Sequence, residues 1–334
     1  MLKKPDEKTN VFLFVILLPI LLFGMCYYGF ESSYTRLKTS ERPPSFLFTS
    51  VYSYRVIPNY LSLYMTDMME MVIQYLNPKL KAFLAKNGTP FYHALFLMNS
   101  FFLVITSFVI HKILALNPSQ WLTSASIKRL VHLVILFFIA ITQYAPTNCD
   151  TLALCCYLLG VYWTFKYLYS KKQSFYFALL VLIFLSTLVR ETACINIAFF
   201  AAVFVDFKEL KKGNFSLVWK LLPLVIAFLV PYLGLRYFLT DRSTTFVEGF
   251  YIAQNFSSPF NLAGLLFAII VLYFVYQQCE EKVNKLVFGN FLFFSLPYLV
   301  MITLVGLYWE VRLFLPLIIT SIVISGHHFK TLYK

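Results

Sequence analysis

The chain has 334 residues, of which 60% are hydrophobic and 13% are charged. A soluble domain carries about 25% charged residues, so the composition excludes an ordinary soluble enzyme. The net charge of +13 does not indicate nucleic-acid binding either, because the Lys and Arg residues lie in short loops between apolar runs and do not share one face. A mean hydropathy of +0.72 instead predicts an integral membrane protein.

Apolar runs of about 20 residues recur along the chain, and each is long enough to cross a bilayer as a helix. The first run, which begins at Val11, is long for a signal peptide and no small-residue cleavage site follows it, so we expect a retained span. The sequence predicts one all-α polytopic transmembrane domain, residues 1–334, with about ten spans. The predicted spans are 11–29, 91–111, 128–145, 150–168, 174–190, 191–207, 217–238, 260–278, 285–307 and 309–326.

The basic residues predict how these spans are oriented. If the spans alternate from a cytoplasmic N-terminus, 17 of the 28 Lys and Arg residues fall in the inner loops and termini, and 4 in or beside the short outer loops. Cytoplasmic loops carry an excess of Lys and Arg. We therefore expect a multi-pass protein of the plasma membrane with both termini in the cytoplasm.

Residues 30–90 form the one large segment that is not predicted to span, and they fall on the outer side. Within it, residues 59–85 have a helical pattern, but Asp67 and Glu70 would make crossing the bilayer costly. An amphipathic helix lying at the outer interface fits this segment. A helical hairpin packed on the bundle is the alternative.

Charged residues at the outer ends of the predicted spans are the candidates for chemistry, since ionisable residues at membrane depth are rare and often functional. Asp150 also fits a helix cap, Arg190 and Glu191 also fit an interfacial ion pair, and Glu310 and Arg312, two apart on a helix, would point in different directions. The candidates are Glu31, Arg55, Asp150, Arg190, Glu191, Glu310 and Arg312.

Four motifs carry a resemblance to a known family. They are Y-x-Y-R-V-I-P at 52–58, N-C-D-T-L-A-L at 148–154, V-R-E-T-A at 189–193 and W-E-V-R-L-F-L-P at 309–316. Together with a first span ending in an acid and a long first outer loop, this order resembles bacterial polytopic glycosyltransferases of the GT-C fold, the group that includes mannosyltransferase-like and aminoarabinose-transferase-like enzymes. The resemblance extends from about Val11 to Pro316.

The resemblance implies a hexosyltransferase that moves a sugar from a polyprenyl-phosphate donor to a lipid or cell-envelope glycan acceptor at the outer face. Such enzymes place a catalytic Asp in the first outer loop, where this chain has Glu31 instead. The base, which takes the proton of the acceptor hydroxyl, is then Glu31 or Asp150. Arg55, Arg190 and Arg312 would hold the donor phosphate, with Glu191 and Glu310 in support.

Two other functions stay open at this point. One is a polymerase or ligase of polyprenyl-linked glycans, and the other is a transporter or flippase without catalysis. The 6 Cys show no metal-ligand spacing, so no metal site and no certain cofactor is predicted, although a divalent metal stays open. Membrane lipids are expected partners and nucleic acids are not, while the sugar and the acceptor stay unassigned.

The charge distribution leads to a topology prediction. Reporter fusions at Lys171, Lys211 and Lys282 should read cytoplasmic, and fusions at Asn148 and Thr244 should read external, because the short basic loops face the cytoplasm. A cytoplasmic reading at Asn148 would contradict the ten-span arrangement.

Overall fold

The computed structural model describes residues 7–29, 38–49, 51–142, 147–207, 211–213, 215, 218–239 and 250–329. These residues form a helical bundle, which confirms the predicted all-α fold class. The pairing of Pro118 with His327 is an isolated bridge outside any strand. Glu31 falls in the segment 30–37 and therefore lies outside the described residues.

The helices follow one another with short connections. In chain order they are α1 (Glu7–Gly29), α2 (Phe46–Thr49), α3 (Val56–Tyr75), α4 (Pro78–Asn87), α5 (Pro90–Ala115), α6 (Ala125–Thr142), α7 (Asp150–Ser170), α8 (Gln173–Thr187), α9 (Cys194–Phe204), α10 (Val218–Phe238), α11 (Ile252–Ser257), α12 (Pro259–Gln277), α13 (Lys282–Phe294), α14 (Leu296–Val305) and α15 (Leu315–Ser325). Single 3₁₀ turns lie at Val51–Tyr54, Gln120–Leu122, Glu191–Ala193 and Val311–Leu313. The middle of α1 is a π-helical segment, Phe12–Leu17.

Six of these helices are long and apolar enough to cross a membrane, or seven if the bent pair α13 and α14 counts as one span. The six are α1, α5, α6, α7, α10 and α12. The other three predicted spans correspond to shorter apolar helices, α8, α9 with its preceding 3₁₀ turn, and α15. The 11 residues of α15 reach about 17 Å, short of a ~30 Å hydrocarbon core, so helix length and composition support fewer spans than the ten predicted.

Contacts between distant loops define two ends of the bundle. At one end, which we call the Asp150 end, the Asn148 amide donates to Asn59 Oδ1 at 2.9 Å, and Ile57 N donates to Leu188 O at 3.2 Å. The start of α7, the start of α3 and the end of α8 therefore meet there.

The other end, which we call the His327 end, joins the far ends of α5, α7 and α15. Asn117 donates to Tyr169 Oη at 3.3 Å and to His328 O at 2.5 Å. The last carbonyl groups of a helix lack donors within that helix, and Asn284 supplies one by donating to the carbonyls of Ile324 at 3.1 Å and His327 at 2.8 Å.

Segment 59–85, predicted as an interfacial helix, forms α3 and α4, which separate at Leu76 and Asn77 ahead of Pro78. Proline disfavours helical geometry in the residue before it, which explains the break. Asp67 and Glu70 each lie 3.2 Å from the half-exposed guanidinium of Arg42, so they are not in an apolar environment. Neither helix is among the candidate spans of the described residues.

Close contact between α12 and the loop before α15 depends on Gly264. A Cβ atom at this position would lie 2.2 Å from the Tyr308 carbonyl oxygen, and a backbone atom cannot rotate away as a side chain can. Tyr308 is only two residues before Glu310. The missing side chain therefore lets α12 support the loop that carries Glu310 and Arg312.

We expect Gly264→Ala to destabilise the protein by about 1–3 kcal/mol, the usual cost of overpacking. Gly289→Ala is the matched control, because nothing lies within 4 Å of its added Cβ in the middle of α13. Thermal unfolding in detergent should show a lower midpoint for Gly264→Ala alone. Equal midpoints for the two variants would contradict the close contact.

Candidate functional site

The carboxylate of Asp150 lies between two arginine side chains at the Asp150 end. Arg190 Nη1 contacts Asp150 Oδ1, and Arg312 Nη1 lies 3.2 Å from Asp150 Oδ2. The Asp150 side chain is 6% exposed. A carboxylate so deeply buried requires such partners, because an unpaired buried charge is costly.

Arg312 also reaches a second acid. Its Nη2 donates to Glu310 Oε2 at 3.1 Å, so the expectation that these two side chains point in different directions is wrong. The reason is local geometry: Glu310 has φ −75° and ψ 74° and precedes a 3₁₀ turn, so the two residues do not follow α-helical spacing.

A second group of charges surrounds Glu191. Its carboxylate lies 3.8 Å from Arg55 Nη2 and 3.6 Å from Arg236 Nη2. The Arg236 guanidinium also stacks on the ring of Tyr232, 3.7 Å from the centroid. Arg190 and Glu191 thus form ion pairs with different partners, Asp150 and Arg55, rather than with each other.

Cys149 connects the two groups. Its Sγ accepts a hydrogen bond from Arg55 Nη1 at 3.5 Å and lies 3.6 Å from Asp150 Oδ1, to which the thiol donates. Burial raises the pKa of the thiol, but the positive charges of Arg55 and Arg190 outweigh that effect, with help from Thr147 and Arg312, so the pKa lies below its usual value. The lowered pKa of Cys149 reflects an excess of positive charge around its thiol.

The ends of several helices position these side chains. Asp150 is the first residue of α7, where an acid interacts favourably with the positive end of the helix dipole, and its N–H donates to Thr147 Oγ1 at 3.1 Å. Arg190 is extended, with φ −166° and ψ 150°, in the turn that follows α8. The chain therefore turns at Arg190, as the sequence predicts.

A small cavity adjoins the paired charges. Its volume is about 20 Å³, which is room for roughly one water molecule. Charged, hydroxyl-bearing and apolar residues all line it. The charged residues are Asp150, Arg190 and Arg312, the hydroxyl-bearing ones are Tyr157, Thr192 and Tyr298, and the apolar ones are Ala153, Leu154, Leu315 and Pro316.

The structure thus brings six of the seven predicted site residues into one cluster, and the seventh, Glu31, lies outside the described residues. Their predicted catalytic and phosphate-binding roles stay predictions. Two members of the cluster, Cys149 and Arg236, were missed from the sequence. The position of Cys149 next to Asp150 and the Tyr232–Arg236 spacing of four residues in α10 were the available signals.

The cluster, taken as Arg55, Asp150, Arg190, Glu191, Arg236, Glu310 and Arg312, contains one more cation than acid. The part of the chain that the structure describes contains no group of three His, Cys, Asp or Glu side chains placed to hold a metal ion. Guanidinium groups match the oxygens of a phosphate or carboxylate, so binding of an anion is among the chemistry open to the four arginines.

Comparison of the chain with family models, with curated proteins and with solved structures finds no match. The reasons for assigning a function are therefore the geometry and charge of the cluster itself.

We expect Asp150→Asn to destabilise the protein by about 3–5 kcal/mol, because Arg190 and Arg312 would lose their shared buried counter-charge. Asp67→Asn is the control: it makes the same chemical change in a half-exposed pair with Arg42 and should cost at most about 1 kcal/mol. Thermal unfolding in detergent measures both. Similar midpoints for the two variants would show that the Asp150 pairs do not stabilise the bundle.

Proposed function

We propose that this chain is a membrane glycosyltransferase that moves a sugar from a polyprenyl-phosphate donor to a lipid or cell-envelope acceptor. The observation that supports it best is the convergence of Arg190 and Arg312 on one buried carboxylate, beside a cavity that apolar residues also line. These two arginines come from distant parts of the chain, and their common target is a carboxylate, with one arginine on each oxygen.

In this proposal the donor phosphate binds next to the Asp150 carboxylate and contacts both arginines. Arginine presents a planar fork of donors that fits phosphate oxygens. As the bond between sugar and phosphate breaks, negative charge develops on the leaving phosphate, and the two guanidinium groups stabilise it. Because the cavity has room for roughly one water, the arginine side chains have to separate to admit a phosphate.

The paired state of Asp150 favours Glu31 over Asp150 as the base. Both carboxylate oxygens of Asp150 face guanidinium groups, which stabilise the charged form and oppose proton uptake. Asp150 is then a positioning residue that holds Arg190 and Arg312, and the acceptor hydroxyl gives its proton to another carboxylate. Arg55 and Glu191 support the cluster from the other side, through Cys149 and Arg236.

The apolar lining residues of the cavity support a lipid-linked donor over a soluble one. Ala153, Leu154 and Leu315 line the cavity together with the charged residues, so an apolar chain attached to the phosphate would find apolar contacts. A nucleotide sugar would instead need polar partners for its base and ribose. The position of the cluster at one end of the bundle also favours an enzyme over a transporter, whose sites usually lie at mid-depth.

The proposal includes a topology. Six or seven of the described helices are long and apolar enough to cross a membrane. The proposal counts the three shorter apolar helices as spans as well, which makes ten crossings in alternating directions. With the basic His327 end in the cytoplasm, both termini are cytoplasmic and the cluster at the Asp150 end faces outward in the plasma membrane.

We expect Arg190→Lys to lower sugar transfer by about a hundredfold, the usual effect of removing one donor to a developing negative charge. Lysine keeps the positive charge but lacks the planar fork. The measurement is consumption of radiolabelled polyprenyl-phosphate sugars, offered as a panel together with a bacterial envelope extract that supplies the acceptor, by protein purified in detergent micelles. Micelles have no compartments, so consumption of donor separates an enzyme from a transporter.

Arg42→Lys is the matched control, because Arg42 belongs to a half-exposed ion pair with Asp67 and Glu70 away from the cavity. It should transfer sugar at the rate of the unchanged protein. Full activity in both Arg190→Lys and Arg190→Ala would exclude Arg190 from donor binding. No consumption of any donor by the unchanged protein would contradict the proposal as a whole.

A further inference from the structure

A second and larger cavity lies at the His327 end, between the N-terminal part of α1, the end of α5 and the start of α6. Its volume is about 180 Å³, against about 20 Å³ for the cavity at Asp150. No residue of the proposed sugar-transfer site lines it. Its function is therefore a separate question.

One wall of this cavity is basic. Lys128 and Arg129 from α6 line it together with His111 from α5, and Glu7 is the acid among the lining residues. Lys112, Lys128 and Glu7 are all close enough to His111 to interact with it electrostatically, so the cations outnumber the acid around this ring. Ala125, the first residue of α6, also lines the cavity, so the positive end of that helix dipole adds to the positive field.

The apolar part of the lining comes largely from α1. Val11, Phe14 and Val15 line the cavity after the polar residues Glu7 and Asn10 of the same helix, and Phe14 and Val15 belong to the π-helical segment Phe12–Leu17. A π-helical turn is wider than an α-helical turn and is frequent at functional sites. The cavity thus combines cationic residues of α6 with apolar residues of a helix that is apolar enough to cross a membrane.

We propose that this cavity binds the phosphate of an anionic phospholipid, with Lys128 and Arg129 on the phosphate and the glycerol and upper acyl carbons against α1. Basic pockets between transmembrane helices on the cytoplasmic side are suited to such headgroups. The apolar wall favours a lipid over a free phosphate ion, since a free ion would gain nothing from Phe14 and Val15.

This inference does not depend on the proposed sugar transfer, because it uses different residues at the other end of the bundle. The site would anchor α1 against α5 and α6 through the lipid, in addition to their direct packing. Phosphatidylglycerol therefore serves as the probe, phosphatidylcholine as the zwitterionic comparison and inorganic phosphate as the soluble anion.

The test is native mass spectrometry of the full chain in detergent, titrated with each of the two lipids. We expect one saturable phosphatidylglycerol site whose affinity falls about tenfold or more in Lys128→Gln with Arg129→Gln, since two charge-assisted contacts are lost. Lys172→Gln with Lys282→Gln is the matched control, because it removes two exposed cations at the same end that do not line the cavity. It should leave the affinity unchanged.

A second variant, Ala115→Phe, fills the cavity from the end of α5 without changing the charge, and it should also weaken phosphatidylglycerol binding. Equal binding of the two lipids, or an equal loss of affinity in both double variants, would overturn the proposal in favour of general charge attraction. Displacement of the lipid by inorganic phosphate would also overturn it, because the site would then be one for a soluble anion.

Discussion

The carboxylate of Asp150 is buried between Arg190 and Arg312, and a charge at that depth without partners costs several kcal/mol. This requirement ties the start of α7 to the turn after α8 and to the loop before α15. Apolar helices in a bilayer gain little from contacting one another rather than lipid, so apolar packing alone specifies their arrangement weakly. A buried ionic contact between three distant parts of the chain specifies it far more sharply.

The two ends of the bundle differ in chemistry. The Asp150 end combines arginines and carboxylates in contact with one another, whereas the cavity at the His327 end is lined by Lys128, Arg129 and a single acid, Glu7. A basic end alone would be explained by the orientation of the protein in the membrane, because cytoplasmic loops carry an excess of Lys and Arg. The paired charges at the Asp150 end are not explained by orientation, and in the proposed function they bind an anion and stabilise the charge that develops on it.

Much of the fold could be predicted from the sequence, because hydropathy identifies apolar helices directly. Helices are found at all ten predicted spans, and the turn at Arg190 was expected from the length of the apolar run 174–207. Which helices are long enough to cross was less predictable, since α15 has only 11 residues and the first part of the predicted span 309–326 forms a 3₁₀ turn instead. The predicted site residues share one membrane depth, which suggested that they form a cluster. Which of them form ion pairs with one another depends on local backbone geometry. The pairing of Glu310 with Arg312 and the link through Cys149 could not be predicted for that reason.

The most direct test of the account is an experimental structure of the chain with a bound polyprenyl phosphate that carries no sugar. We expect phosphate oxygens within about 3 Å of the guanidinium groups of Arg190 and Arg312, with the prenyl chain leaving over Leu154 and Leu315. Asp150 would then have lost one of its two contacts with these arginines. A phosphate bound elsewhere, with the Asp150 pairs unchanged, would contradict the account.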